Sequence, residues 1–133
     1  MTNTSEIKLA IVDDAPFIRE VVRHMVSQHK DIQLVAEAAN GQEAVEIVKN
    51  SEPDVILMDI VMPEKSGLEA AEEILLLKPN IKIIACSTVD QESMVMKALE
   101  VGCCSYLVKP FTAEQLTNLI YSSMESGRTT DAG

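Results

Sequence analysis

The side chains of this chain that could do chemistry each follow a short apolar run. Asp13 and Asp14 come directly after the run IKLAIV, and Asp59 ends the run DVILMD. Ser87 follows the run IKIIAC, and Lys109 follows the run SYLV. Three carboxylates that are brought close together do not all stay ionised unless a positive charge lies beside them. The elements that carry these runs decide whether the side chains meet.

Five apolar runs predict five strands, at residues 7–12, 32–38, 54–59, 81–86 and 105–108. Four of the runs are nearly unbroken, which is typical of strands that are covered on both faces. Helical patterns follow the strands in turn: a stripe from Ile18 to Val26, then residues 41–50, 66–78 and 91–101, and a last helix from Thr112. This alternation predicts a single α/β domain, a doubly wound (βα)5 fold with a parallel sheet between two helical layers.

Residues at the helix ends favour these boundaries. Asp14 can cap the first helix, and Pro16 suits its first turn because a missing N–H costs nothing there. Gly102 is a suitable end for the fourth helix, and Thr112 with Gln115 is typical of a helix start.

The predicted topology brings the polar residues to one edge of the sheet. Ligands of open parallel sheets bind at the carboxyl ends of the strands. Asp13, Asp14, Asp59, Ser87 and Lys109 would all lie at this one edge of the sheet. A hard divalent cation would balance the three carboxylates, and Mg²⁺ takes about six oxygen ligands. The sequence therefore predicts a magnesium site at this edge.

Composition argues against several classes of protein. The net charge is −10, so we expect neither a nucleic-acid-binding face nor attraction to anionic membranes. Cys86, Cys103 and Cys104 are odd in number and two are adjacent, which indicates reduced thiols in the cytoplasm rather than a disulfide framework. The first residues do not resemble a signal peptide, and we find no run long enough for a membrane span.

Five motifs carry a resemblance to a known family. They are VDD (12–14), LMDIVMP (57–63), SGLEA (66–70), IIACST (83–88) and YLVKPF (106–111). Over about residues 7–125 the chain resembles the receiver domain of two-component response regulators, and the CheY-like chemotaxis branch in particular. The resemblance implies a flavodoxin-like strand order of 2-1-3-4-5. We expect a receiver domain over residues 1–125 and a flexible C-terminal tail over residues 126–133.

The resemblance also implies roles for the residues at the sheet edge. Asp59 would accept a phosphoryl group, and Asp13 and Asp14 would hold Mg²⁺ together with Asp59 and the backbone carbonyl of Val61. Lys109 would neutralise charge, and Ser87 would donate its hydroxyl group to a phosphoryl oxygen. By the same resemblance, the reaction and the slow loss of the phosphoryl group would both be self-catalysed, so we do not expect an enzyme acting on a separate substrate.

Further residues are assigned to signalling by the same resemblance. Ser87 and Tyr106 would form the switch that reports phosphorylation. Thr88, Val61 and Val89 would gate access to the acceptor, and because two of them are apolar we expect slow hydrolysis. A cis peptide bond is implied between Lys109 and Pro110.

The implied partners are a sensor histidine kinase of the CheA-like kind and a downstream target such as the flagellar motor switch, or a phosphatase. We expect a monomer that binds neither nucleic acid nor membrane. Four alternatives stay open: a receiver domain cut from a longer regulator with a C-terminal output domain, a flavodoxin-like binding protein, an aspartyl phosphatase, and a degenerate receiver. The loop DDAPF lacks the glycines and hydroxyl groups of a flavin phosphate site, and the intact set of site residues argues against degeneracy.

Overall fold

Five strands alternate with five helices along the chain, and the boundaries follow the predicted pattern closely. The structure is a computed structural model that describes residues 6–62 and 65–129. The strands are β1 (Ile7–Val12), β2 (Ile32–Ala38), β3 (Val55–Asp59), β4 (Lys82–Ser87) and β5 (Ser105–Val108). The helices are α1 (Pro16–Ser27), α2 (Gly41–Ser51), α3 (Gly67–Leu77), α4 (Glu92–Val101) and α5 (Ala113–Thr129).

The strands form one parallel sheet in the order β2-β1-β3-β4-β5, so the fold and the implied strand order are both confirmed. Successive side chains of a strand point to opposite faces of the sheet. In β1, Ala10 and Val12 face one core cluster, which α2, α3 and α4 cover, while Leu9 and Ile11 face the other, which α1 and α5 cover. Burial on both faces explains why the strands are apolar at nearly every position.

The start of α1 differs from the sequence-based expectation at its cap, whereas the start of α5 agrees with it. Ala15, not Asp14, is the N-cap of α1, and no side chain caps this helix. The cap that Asp14 could have provided is therefore not formed, and its carboxylate is exposed near those of Asp13 and Asp59. Pro16 begins α1 as expected. Thr112 caps α5 as expected, since its side chain and that of Gln115 each bind the other's backbone N–H at 3.0 and 2.9 Å.

The C-terminal end of the chain differs from the expected boundary. Helix α5 continues past residue 125 to Thr129, so its axis runs into the predicted tail. The rest of that tail, residues 130–133, lies outside the described residues, as do residues 1–5. None of the helices in the described part of the chain combines the length and apolar character that crossing a membrane requires.

Candidate functional site

Two buried carboxylates meet at the carboxyl ends of β1 and β3. Val12 pairs with Met58 across these neighbouring strands, so the residues that follow, Asp13 and Asp59, lie side by side. Only 3% of Asp13 and 5% of Asp59 is exposed. The strand register therefore places two ionisable groups at the edge of an otherwise apolar core.

Lys109 lies between these carboxylates. Its ammonium group donates to Asp13 Oδ2 at 2.8 Å and to Asp59 Oδ2 at 3.3 Å. The backbone N–H of Lys109 binds the carbonyl of Ser87 at 2.9 Å, which ties the loop after β5 to the end of β4. The peptide bond between Lys109 and Pro110 is cis, as the family resemblance implies.

The pKa values of the buried pair follow from burial and charge. Burial raises the pKa of Asp59, and the Asp13 charge raises it further, although the Val61 N–H and Lys109 act in the opposite direction. Burial lowers the pKa of Lys109, but its hydrogen bond to Asp13 and the two carboxylate charges outweigh this and leave the pKa raised. Lys109 is therefore held in its charged form, while the ionised form of Asp59 is disfavoured and would gain from a further positive charge.

Asp14 completes a set of oxygen ligands. Carboxylate oxygens of Asp13, Asp14 and Asp59 lie within 4.8 Å of one another. Among the residues that the structure describes, this is the one cluster of possible metal ligands, and it contains oxygen atoms alone. Hard cations such as Mg²⁺ prefer such a set and keep several further positions for water or phosphate oxygens. The residues present therefore fit the cation predicted from the sequence.

The loop after β3 orients Asp59. Its Oδ1 accepts a hydrogen bond from the N–H of Val61 at 3.0 Å, while Oδ2 faces Lys109. Gly67, the first residue of α3, packs against this segment so closely that a Cβ atom there would lie 2.1 Å from the carbonyl oxygen of Asp59. The glycine of the SGLEA motif is therefore a packing requirement of the site, and the motif alone did not reveal this reason.

The two expected switch residues both bind Val89. The N–H of Val89 donates to Ser87 Oγ at 3.0 Å, and the hydroxyl group of Tyr106 donates to the carbonyl of Val89 at 2.5 Å. Ser87 is buried, and the Tyr106 ring is half-buried against the core. Burial raises the pKa of the Tyr106 hydroxyl group. The structure thus brings Ser87 and Tyr106 together through the loop after β4.

The three expected gating residues differ in how far they are exposed. Thr88 is exposed, Val61 has 55% of its surface exposed, and Val89 is half-buried. Thr88 and Lys109 also border an apolar groove of about 350 Å³ beside α1, where Phe17 is 70% exposed. The exposed phenylalanine is a feature that the sequence analysis did not identify.

Sequence reasoning also missed Arg19. Its Nη1 donates a hydrogen bond to the backbone carbonyl of Asp13 at 2.7 Å, and its Nε lies 3.4 Å from Glu37 Oε1. The sequence offers one signal for the role of Arg19, which is its position near the start of α1. A long side chain in the first turns of a helix can reach back to the loop before it.

Of the three cysteines, Cys86 lies beside the polar site. Cys86 pairs with Asp59 in the sheet, but burial raises the pKa of its thiol to about 12. Burial likewise raises the pKa of Cys103 to about 12, whereas Cys104 is exposed. Cys86 and Cys103 are thus neutral core residues near pH 7.

Comparisons with known proteins agree on one family. The model described as "Response regulator receiver domain" matches residues 9–121. The chemotaxis protein CheY of Listeria monocytogenes is 43% identical over 110 residues, which cover 83% of this chain and 92% of that protein. The transcriptional regulatory protein YxjL of Bacillus subtilis, uncharacterized by its name, is 37% identical over 118 residues, which cover 89% of this chain but 54% of that protein.

Solved structures share the same fold. A chain in the crystal structure of the CheX–CheY–BeF3–Mg²⁺ complex from Borrelia burgdorferi superposes with a TM-score of 0.85 at 25% identity. The match covers 90% of this chain and 90% of that chain. The similarity therefore extends over nearly the whole fold.

Proposed function

Because this chain belongs to the response regulator receiver domain family, we propose that it accepts a phosphoryl group on Asp59 from a histidine kinase in a Mg²⁺-dependent reaction. The observation that carries the proposal is the meeting of three carboxylates and one lysine at the end of β3. A carboxylate can form a covalent phosphoryl intermediate and needs no general base, because it is already ionised when it attacks.

The transfer depends on placement and charge. An oxygen of Asp59 attacks the phosphorus atom of the donor, and the bond from phosphorus to the donor nitrogen breaks with its electron pair staying on the nitrogen. Negative charge then spreads over the phosphoryl oxygens, and neutralising it lowers the barrier. Bound Mg²⁺ would supply part of that neutralisation. The ammonium group of Lys109, 3.3 Å from Asp59 Oδ2, supplies more.

The remaining site residues have supporting roles. Asp13 and Asp14 would hold the cation with Asp59, and the backbone carbonyl of Val61 would be a further ligand. Ser87 Oγ accepts from the Val89 N–H, so its own hydrogen is available for a phosphoryl oxygen. The role of the three carboxylates is supported by their oxygen atoms lying within 4.8 Å of one another.

Phosphorylation is read through Ser87 and Tyr106. A hydrogen bond that draws Ser87 toward the phosphoryl group also displaces Val89, to which the Tyr106 hydroxyl group is bound. The movement alters the surface made by α4, β5 and α5. A partner that binds this altered surface more tightly converts phosphorylation into a shift of populations.

Chemotaxis is the signalling context that the relatives favour, because the Listeria monocytogenes relative of similar length is a chemotaxis protein. On that basis the kinase is CheA-like and the target is the flagellar motor switch or a phosphatase. The protein acts in the cytoplasm as a monomer, without binding nucleic acid or membrane through this domain, and it turns over no separate substrate.

A second candidate is the receiver domain of a transcriptional regulator. The match to YxjL covers 89% of this chain but only 54% of that protein. These shares are expected if a receiver domain of this size is followed by an output domain in a longer regulator. The site chemistry is the same in both cases. The two differ in whether the altered surface binds another protein or an attached domain.

The acceptor is tested by intact mass after treatment with a small phosphoryl donor. We expect one phosphoryl group with Mg²⁺, none when the metal is chelated, and none on the Asp59→Asn variant. Asp54→Asn is the matched control, because Asp54 lies just before β3 at the opposite end of that strand and accepts from Lys8 N–H. Labelling of Asp59→Asn at the rate of the unaltered protein would refute the assignment.

A further inference from the structure

Arg19 connects helix α1 to the loop that carries the acidic residues. Its Nη1 donates a hydrogen bond to the carbonyl oxygen of Asp13 at 2.7 Å, so one end of the guanidinium group binds the backbone of the acidic loop. Its Nε lies 3.4 Å from Glu37 Oε1, so the other end is held by β2. With 21% of its side chain exposed, Arg19 is fixed more firmly than an ordinary surface arginine.

Glu37 is itself held in place. Arg23, one turn further along α1, donates from Nε to Oε2 at 2.9 Å and from Nη2 to Oε1 at 3.0 Å. This paired geometry restricts the carboxylate more than a single contact does. Glu37, the partner of Arg19 on β2, is therefore itself fixed by a second arginine of α1.

The carbonyl of Asp13 belongs to the same peptide unit as the N–H of Asp14. Because a peptide unit is planar, the bond from Arg19 sets the orientation of the plane that leads into Asp14. The Asp14 carboxylate is exposed, yet it must point back toward Asp13 and Asp59 to share a cation with them. Its direction depends on that plane.

The orientation of the Asp13 side chain depends less on Arg19 than that of Asp14 does. Its N–H binds the carbonyl of Ala38 at 3.0 Å, its Oδ1 accepts from Ala15 N–H at 2.9 Å, and its Oδ2 accepts from Lys109 at 2.8 Å. The side chain of Asp13 is thus held by contacts independent of the guanidinium group.

We propose that Arg19 is a positioning residue that orients the peptide between Asp13 and Asp14 so that the Asp14 carboxylate faces the divalent cation. The inference rests on the proposed function, because it assumes that these carboxylates hold Mg²⁺. Groups that orient metal ligands from behind strongly affect metal affinity although they do not touch the metal.

The charge of Arg19 predicts the opposite effect. A positive group near a cation site repels the cation, so removing it would tighten Mg²⁺ binding if charge were its main contribution. Positioning predicts that removal weakens binding. The sign of the change in affinity therefore separates the two roles.

The test is a Mg²⁺ titration of full-length variants, followed by amide chemical shifts. We expect Arg19→Gln to raise the Mg²⁺ dissociation constant about tenfold. Arg19→Lys keeps the charge but lacks the planar fork that reaches both the carbonyl and Glu37, so it should also weaken binding. The Asp14 amide signal should shift in both variants before metal is added.

Arg23→Gln is the matched control. It removes the same charge and a contact to the same Glu37, but Arg23 does not bind the Asp13 carbonyl. We expect its Mg²⁺ affinity to stay within about twofold of the unaltered protein, as for the loss of an exposed ion pair. The Asp14 amide should keep its position.

The outcomes separate this inference from the proposed function. Unchanged or tighter binding by Arg19→Gln, with normal Mg²⁺ binding by the unaltered protein, would overturn the positioning role alone. An unaltered protein that does not bind Mg²⁺ would overturn both. At saturating Mg²⁺, phosphorylation of Arg19→Gln should return nearly to the normal rate, whereas a rate that stays low would show damage other than to cation binding and would count against the inference.

Discussion

The hydroxyl group of Tyr106 donates a hydrogen bond to the backbone carbonyl of Val89, 2.5 Å away. The N–H of the same valine donates to Ser87 Oγ at 3.0 Å. One loop residue therefore joins the end of β4 to the half-buried ring on β5. If the proposed function holds, a displacement of Ser87 by a phosphoryl group would reach Tyr106 along this path, through backbone atoms as well as through packing of the ring.

This link predicts the behaviour of Ser87→Ala. The variant should still be phosphorylated on Asp59, because Ser87 is not the acceptor, but the hydrogen bond that draws the loop is lost. Amide shifts around Tyr106 on phosphorylation should therefore be smaller than in the unaltered protein. Ser93→Ala, which removes an exposed hydroxyl group from α4, is the control. Full-size shifts at Tyr106 in Ser87→Ala would show that coupling follows another route.

Neutralising Asp59 should stabilise the metal-free protein. Since burial raises the pKa of Asp59 above its ordinary value of 3.8, the ionised carboxylate costs stability at neutral pH. Asp59→Asn should raise the free energy of unfolding at pH 7 by roughly 1 kcal/mol, with chelator present. Lys109 keeps its closer partner, Asp13, in this variant.

The sign of the pH dependence follows from the direction of the shift. Above the raised pKa, Asp59 is ionised in both states and the full cost is present. Below 3.8 it is protonated in both states, so the gain of Asp59→Asn should vanish as the pH falls through this window. Chemical denaturation at a series of pH values measures the gain, and a gain that grows toward low pH would contradict the explanation.

Removing the charge of Lys109 should have the opposite effect. Lys109→Met leaves Asp13 and Asp59 as neighbouring buried carboxylates without their shared cation. We expect a loss of about 3 kcal/mol in the free energy of unfolding at pH 7 without metal, partly restored by Mg²⁺. Lys97→Met, at an exposed position on α4, should change stability little. Equal melting temperatures of the two variants would argue against the ion pair's role.

Substitution of Gly67 should disturb the acceptor directly. A Cβ atom there meets the backbone of Asp59 and Ile60 at 2.1 and 2.5 Å, so Gly67→Ala must displace the end of β3 or the start of α3. We expect a cost of about 2 kcal/mol in stability, slower phosphorylation and shifted amides at Asp59.

Gly102→Ala is the comparison for Gly67→Ala. Its φ of +113° is strained for any residue with a Cβ atom, so a cost of ~1–2 kcal/mol is expected here too. This glycine ends α4, however, and the Asp59 amides should keep their positions. If both variants shifted the Asp59 amides equally, the close approach at Gly67 would not be specific to the site.

The gating residues predict the lifetime of the phosphoryl group. Val61 and Val89 have no polar side-chain atom that could orient an attacking water molecule, so hydrolysis should be slow. Val61→Asn combined with Val89→Glu should release phosphate faster, and the exposure of Val61 makes the change sterically easy. Leucine at both positions is the apolar control. A decay rate of the phosphorylated Asn–Glu variant that is unchanged or slower would contradict the prediction.

Local patterns were sufficient for the order of elements and for most boundaries. Unbroken apolar runs identified β1 and β3 because both faces of those strands are buried. Pro16 and Thr112 marked helix starts because their preferences act within one turn. The strand order came from the family resemblance, since alternation alone does not say which strands are neighbours.

Asp14 shows where short-range preference and the wider sequence pattern pointed to different roles. An aspartate two residues before a proline can cap a helix by its own preferences, but the described α1 begins after Ala15, which is its N-cap. The carboxylate of Asp14 instead lies with those of Asp13 and Asp59. The same side chain suits either role; the strand-end positions of Asp13 and Asp59 already favoured the metal site, and the fold brings the three carboxylates together by placing β3 beside β1.

By itself, the sequence determined the parallel α/β domain and the types of residue at the carboxyl ends of its strands. These features depend on hydrophobic period and on short-range preferences, which neighbouring residues reveal. The tertiary structure alone decided that Lys109 lies 2.8 Å from Asp13, that Arg19 binds the Asp13 carbonyl, and that Gly67 touches Asp59. Such contacts depend on strand register and on the angle at which each helix packs, and these are set by the whole core at once.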